Sequence, residues 1–144
     1  MENPITTASI LGGKTILGVE IADIVCLEKI VIKGLPYQSL EILIKRIYPN
    51  EHQKLYDIIP QSVWNLRRQS GYLTQEESEK TARIAMIYAL MLEVWESEEY
   101  KARWFMQTPH PLLEQRTPFQ AIKTELGARR VEQILYAIEY GVCL

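Results

Sequence analysis

Residues 74–96, TQEESEKTARIAMIYALMLEVWE, decide the fold of this chain. Thr74 followed by Glu77 is the capping-box pattern that opens an α-helix. No Gly or Pro interrupts the stretch, and over residues 82–95 nearly every face of a helix would be apolar. Because a helix that is apolar all round must be buried on all sides, we predict that this segment is the central helix of the fold.

On the N-terminal side, the sequence predicts two helices. Asp23 is a candidate N-cap for a helix that Gly34 ends, and Pro36 opens the next helix. Residues 1–20 contain several glycines, so we expect them to be loosely structured, with at most a short extended piece.

On the C-terminal side, the sequence predicts three more helices. Residues 97–106 form a short helix capped by Ser97, and Thr117-Pro118 opens a helix that Gly127 ends. Gly141 closes the final helix. The apolar stripe of that helix has the spacing i, i+3, i+4, i+7: Val131, Ile134, Leu135 and Ile138.

Almost no strand pattern remains, so we predict an all-α fold. We divide the chain into an N-terminal segment, residues 1–33, a helical domain, residues 34–96, and a small helical domain, residues 97–144. The long central helix joins the last two.

Composition limits the functions that this chain can have. It has 144 residues, 47% of them hydrophobic, and a formal net charge of −2, which excludes a global polycation that coats nucleic acid. The longest fully apolar run, residues 84–92, is far shorter than the about 20 residues of a membrane span. With no signal-peptide pattern at the start, we expect a soluble protein of the cytoplasm that does not contact membranes.

No catalytic constellation is visible. His52 and His110 lack a nucleophile or carboxylate at a diagnostic spacing, and the cysteines Cys26 and Cys143 form no CxxC motif. The acidic cluster around Glu77 fits the first turn of a helix better than a metal site. We therefore expect no enzyme, no cofactor and no metal.

A helix pair supports a binding function instead. Asn50 and Gln53 resemble a capping box for a helix over residues 51–59, and a second helix follows over residues 62–70. The second helix carries side chains of the types that contact base edges and phosphates: Gln61, Ser62, Asn65, Arg67 and Arg68.

Two interpretations of this helix pair stay open, and the first is that it binds DNA. Residues 41–70 are the only basic stretch, and residues 51–70 carry a net charge of only +1, which is low for a protein that binds duplex DNA. The alternative is an ordinary helical hairpin with a solvated face. Trp64 fits the core, a dimer contact or a DNA contact.

Motifs with a shared order and spacing are spread over about 130 residues. In the first half they are Leu11-Gly12-Gly13, Gly34-Leu35-Pro36, Ser39-Leu40, residues 63–68, Gly71, Leu73 and Glu77-Ser78-Glu79. In the second half they are Ala102, Trp104, Pro109, Leu113, Thr117-Pro118, residues 124–127, Val131, Leu135, Ile138 and Tyr140-Gly141-Val142. In this arrangement the chain resembles the Xre/MbcA/ParS class of antitoxins from bacterial type II toxin–antitoxin systems. It departs from the family where Glu114-Gln115 replaces a turn that is often Gly-Gly.

The resemblance implies that residues 34–96 are an Xre-like helix-turn-helix domain and that residues 97–144 are a toxin-binding domain. It implies a protein that binds a RES-domain toxin, an enzyme that consumes NAD, and covers its active site. It also implies repression of its own operon through operator DNA, as a homodimer that assembles with the toxin into a hetero-oligomer. A stand-alone helix-turn-helix regulator and a structural helical adaptor are the alternatives.

The end of the chain is the predicted toxin-binding site. The apolar segment after residue 139 either packs on its own helix or docks on a partner. If Gly141 turns left-handed, the last residues project and fit a pocket for an anionic, partly aromatic cofactor such as NAD. The predicted toxin-binding residues are Arg129, Arg130, Tyr140, Gly141, Val142, Cys143 and Leu144.

Overall fold

The computed structural model describes residues 3–141, and within them the fold is all-α, as predicted. The described part of the chain forms nine α-helices and two short 3₁₀ helices. The α-helices are α1 (Pro4–Ile10), α2 (Gly13–Leu17), α3 (Ile24–Lys33), α4 (Tyr37–Ile47), α5 (Gln61–Ser70), α6 (Gln75–Val94), α7 (Glu99–Gln107), α8 (Pro118–Ala121) and α9 (Glu125–Tyr140). The 3₁₀ helices are His52–Asp57 and Pro111–Leu113.

The predicted central helix is confirmed as α6. The Thr74 hydroxyl accepts a hydrogen bond from the Glu77 amide at 3.2 Å, and the Glu77 carboxylate accepts one from the Thr74 amide at 3.0 Å. Ala85 and Tyr88 are among its fully buried residues. The helix ends at Val94, two residues early, because Glu96 and Ser97 have left-handed φ angles of 51° and 67°.

The prediction for residues 1–20 is wrong, because α1 and α2 occupy most of them. The Asn3 side chain caps α1 by accepting a hydrogen bond from the Thr6 amide at 3.0 Å, and Pro4 stands at the first helical position. Ile10 and Leu11 are fully buried, and the Leu11 carbonyl accepts a buried hydrogen bond from the Ser39 hydroxyl. The stretch that contains Ile10 and Leu11 is therefore part of the core.

Two predicted boundaries further along the chain are also wrong. Asn50 and Gln53 do not form a capping box, because a 3₁₀ helix begins there, after Glu51, without a side-chain cap. Gly127 does not end a helix. It lies in the first turn of α9, where its amide donates to the Thr124 hydroxyl at 3.0 Å.

Gly127 has a packing role instead. A Cβ added at this position would lie 1.8 Å from the Ala121 carbonyl oxygen, so only glycine lets α9 approach the end of α8 this closely. Other boundaries shift by smaller amounts: α7 begins after Glu98 rather than at a Ser97 cap.

The buried apolar side chains form one continuous cluster from Ala8 to Leu135. Both halves of the chain share α6, so the division into residues 1–33, 34–96 and 97–144 stays a prediction. Among residues 3–141, no helix combines the length and the apolar character that a bilayer crossing requires.

Candidate binding surfaces

The exposed face of α5 carries most of the predicted DNA-binding residues. Gln61, Ser62, Asn65 and Arg68 are all exposed, and their spacing places them on one side of the helix. Beside that face Trp64 is buried, with its ring in edge contact with Tyr37 at a centroid distance of 5.7 Å. Trp64 is therefore a core residue.

Arg67 does not belong to that face. Its Nε and one terminal nitrogen donate to the two carboxylate oxygens of Glu77 at 2.6 and 3.0 Å. Partial burial alone would raise the pKa of Glu77, but the hydrogen bonds from Arg67 and the Thr74 amide outweigh it and hold that pKa below its ordinary value. Arg67 thus ties α5 to the first turn of α6, and Arg68 is the α5 cation that makes no ion pair within residues 3–141.

The inner side of α7 is attached to the C-terminal end of α4. Arg46 donates two hydrogen bonds to Glu99, at 2.8 and 3.2 Å, and the Tyr88 hydroxyl donates a third at 3.0 Å. Gln107 donates to the Ile47 carbonyl at 2.6 Å, which satisfies one of the carbonyls that a helix end leaves unpaired. This network joins the N-terminal half of the chain to the C-terminal half.

Burial and the neighbouring Glu99 carboxylate both raise the pKa of Tyr88, so this hydroxyl stays a donor. Burial would also raise the pKa of Glu99, but its hydrogen bonds from Arg46 and Tyr88 outweigh that effect and lower it. The network is therefore stable while Glu99 is ionised.

The outer side of α7 exposes two aromatic rings. Tyr100 is 64% exposed and Trp104 is 63% exposed, and their spacing of four residues places them side by side. Tyr100 is not among the residues predicted from the sequence. The signal was present, because Ala102, Phe105 and Met106 form the buried stripe and leave these two rings on the other side.

The loop between α7 and α8 is held by Arg130, one of the predicted toxin-binding residues. Arg130 donates to Glu114 Oε1 at 2.9 Å and to the Leu112 carbonyl at 2.8 Å. Glu114 and Gln115, where the family often has Gly-Gly, have φ angles of 55° and 63°. Two residues with side chains therefore occupy a turn that favours glycine.

The end of α9 is partly as predicted. Val131, Ile134 and Leu135 are buried, but Ile138 is exposed, which corrects the fourth position of the stripe. Arg129 pairs with Glu125 at 3.1 Å on the surface.

Tyr140 is exposed, and Gly141 turns left-handed with a φ of 66°, as predicted. Val142, Cys143 and Leu144 lie outside the described residues. Within residues 3–141, no three His, Cys, Asp or Glu side chains cluster as metal ligands would.

The C-terminal part of the chain is similar to a known family of toxin-binding domains. Residues 92–141, from the end of α6 through α9, match the family model of the antitoxin Xre/MbcA/ParS C-terminal toxin-binding domain. The chain is also similar to a protein named Antitoxin Xre from Yersinia enterocolitica serotype O:8 / biotype 1B (strain NCTC 13174 / 8081). The two are 32% identical over 81 residues, which are 56% of this chain and 55% of the relative.

These similarities confirm the predicted resemblance to the Xre/MbcA/ParS antitoxins. The aligned part spans about half the length of the relative. The matched segment includes α7 with Tyr100 and Trp104, and α9 with the turn at Gly141.

Proposed function

We propose that this protein is a non-enzymatic antitoxin that binds a cognate RES-domain toxin and stops its consumption of NAD by covering the active site. The observation that carries the proposal is the match of residues 92–141 to an antitoxin toxin-binding domain. The exposed rings of Tyr100 and Trp104 within that segment support it, because aromatic side chains are enriched at the energetic centres of protein interfaces.

The proposed toxin-binding surface also includes Tyr140 and the residues that follow the turn at Gly141. We propose that Val142, Cys143 and Leu144 enter the NAD pocket of the toxin. Burial of a Val and a Leu there would contribute a few kcal/mol, at about 25 cal/mol per Å² of apolar area.

The two arginines of the predicted site have different roles in this proposal. Arg129 is in an exposed ion pair, which contributes little to stability and is easily exchanged for a toxin carboxylate. Arg130 positions the loop after α7 through Glu114 and the Leu112 carbonyl. We therefore propose direct contact for Arg129 and an indirect effect for Arg130.

The test uses the enzyme encoded beside the gene of this protein, which we expect to contain a RES domain. The purified pair is assayed for complex formation and for NAD consumption, with the full-length chain and with a variant that lacks residues 142–144. We expect the truncated chain to bind the toxin and to leave NAD consumption largely uninhibited.

Two outcomes would contradict the proposal in distinguishable ways. Full inhibition by the truncated chain, at unchanged stoichiometry, would place inhibition on the helical surface instead of the final segment. No binding by the full-length chain, or a neighbouring gene without a RES domain, would favour the stand-alone regulator without a toxin partner.

A second function, repression of its own operon, is favoured by the exposed polar face of α5. Gln61, Ser62, Asn65 and Arg68 offer donors and acceptors for base edges and one cation for a phosphate or guanine. Because a single short helix supplies little contact area, we propose that a homodimer reads two half-sites of operator DNA, alone or within a hetero-oligomer with the toxin.

A salt titration of binding to the upstream promoter tests this function. Asn65→Ala/Arg68→Ala should weaken binding by about 1–3 kcal/mol and reduce the salt slope. Arg129→Ala is the matched control, because it removes the same charge from a different surface. Equal behaviour of the two variants would show that α5 does not contact DNA.

A further inference from the structure

A groove about 440 Å³ in volume lies between α3, α6 and α9. Its floor follows one face of α6 from Gln75 to Ile87, a length of about 18 Å at the 1.5 Å rise of an α-helix. α3 forms one wall and α9 the other. The groove is therefore long enough for about three turns of a further helix.

Apolar side chains line the bottom of the groove. Leu27, Ala82 and Ala128 are buried there, and the two alanines leave room for the side chains of an occupant. Ile24 and Ile32 on the α3 wall are 44% and 54% exposed. Large apolar residues left exposed beside a concave apolar surface are typical of an interaction site.

The charges around the groove are mainly acidic. Glu125 pairs with both arginines of the groove, Arg83 at 3.3 Å and Arg129 at 3.1 Å. One further carboxylate on each of the three helices makes no ion pair within residues 3–141, and these three form the acidic rim of the groove: Glu28, Glu79 and Glu132.

We propose that this groove binds a basic amphipathic helix of another protein. The apolar floor accepts side chains at the i, i+3, i+4, i+7 spacing of such a helix, and Glu28, Glu79 and Glu132 pair with its flanking Lys or Arg side chains. A second copy of this chain is a poor occupant, because a symmetric contact would place acidic rim against acidic rim. The α9 wall, with Arg129 and Glu132, lies inside the segment that matches the toxin-binding domain, whereas the α3 wall lies outside it.

The test uses the full-length protein and two labelled model peptides, each about 14 residues long, or about 21 Å as a helix. Both peptides carry Leu at the i, i+3, i+4, i+7 positions. One has Lys at the flanking positions and the other has Glu. Fluorescence anisotropy measures the affinity of each peptide for the protein.

Two triple variants separate the groove from net charge. Glu28→Lys/Glu79→Lys/Glu132→Lys reverses the rim. Glu51→Lys/Glu93→Lys/Glu139→Lys makes the same charge change at exposed positions that do not line the groove.

We expect the unmodified protein to bind the basic peptide about tenfold more tightly than the acidic one, at moderate salt. The rim variant should reverse this preference, which would also show that it is folded, and the control variant should keep it. Equal loss in both variants, equal affinity for the two peptides or no saturable binding would overturn the proposal. So would self-association of the protein that the rim variant abolishes, because the occupant would then be a second copy.

Discussion

α5 and α7 are helices of similar length that are anchored in the same way and expose opposite chemistry. Each is fixed from the inside by a forked arginine–carboxylate pair, Arg67 with Glu77 and Arg46 with Glu99. Outward, α5 shows amides, a hydroxyl and Arg68 beside one exposed apolar side chain, Leu66, whereas α7 shows the rings of Tyr100 and Trp104.

The difference indicates which kind of partner each half can bind. Polar groups on α5 suit contacts that stay hydrated and depend on salt, such as those with DNA. Exposed aromatic rings on α7 gain free energy when a partner removes them from water, as in a protein interface. The charges of the two forked arginines are already paired within the fold, so the difference between the surfaces comes from the other side chains.

The largest expected effect comes from a substitution in the shared core, which would destabilise the fold and so remove both surfaces together. Ala85 is fully buried in α6, so Ala85→Asp places a carboxylate without a partner in the shared core. We expect the free energy of unfolding to fall by more than about 3 kcal/mol, the scale for an unpaired buried charge. Thermal denaturation followed by circular dichroism measures this loss.

Glu93→Asp is the control for that experiment, since it places the same side chain at an exposed position of the same helix. Its melting temperature should hardly change. Normal melting of Ala85→Asp would contradict the central position of α6.

The next largest effect tests whether the surfaces of α5 and α7 act independently. Trp104→Ala should weaken toxin binding by about 2–4 kcal/mol, the range for an interface hot spot, and leave promoter binding and stability nearly unchanged. Isothermal titration with the toxin and the promoter titration described above give both values. Tyr72→Ala removes an aromatic ring of comparable exposure outside the toxin-binding segment and should change neither. A weakened promoter complex in Trp104→Ala would mean that the two surfaces are not separate.

The sequence contained the fold class and the centre of the fold, because α6 has a complete capping box and no interruption. It did not reveal α1, because a helix of seven residues is too short to show a periodic apolar pattern. Only its start, Asn3-Pro4, has the residue types of a helix N-terminus. The outward face of α5 could be predicted from spacing, yet the burial of Trp64 turns Arg67 toward Glu77, which only the packed structure shows. Gly127 looked like a stop because glycine ends many helices, and its contact with Ala121 depends on the approach of α8 to α9.

A smaller effect concerns the anchors and depends on pH. Glu77 and Glu99 both have pKa values below the ordinary value of 4.5, for the reasons given above. A carboxylate with a lowered pKa in the folded state stabilises the fold above its unfolded pKa, and this stabilisation is lost as the pH falls through the folded pKa. The free energy of unfolding should therefore decrease below about pH 4.5.

Glu99→Gln tests this anchor. It should cost about 1.5–3 kcal/mol at pH 7, the scale of hydrogen bonds to a charged group, and should flatten the loss of stability at low pH. Urea denaturation at a series of pH values measures both. Glu93→Gln, at an exposed carboxylate without an ion pair in the described chain, is the control. An unchanged pH profile in Glu99→Gln would show that the Arg46–Glu99 pair does not stabilise the fold.

The smallest expected effect concerns backbone strain in the loop that supports α7 and α9. Gln115 has a φ of 63° and no side-chain hydrogen bond in the described part of the chain, so Gln115→Gly relieves left-handed strain without removing a contact. The strain of about 1–2 kcal/mol is partly offset by the greater freedom of glycine in the unfolded chain, so we expect a net gain of about 0.5 kcal/mol. Gln133→Gly makes the same substitution at an exposed position inside α9 and should instead destabilise by about 1 kcal/mol. Urea denaturation distinguishes the two signs, and a loss of stability in Gln115→Gly would show that this turn is not strained.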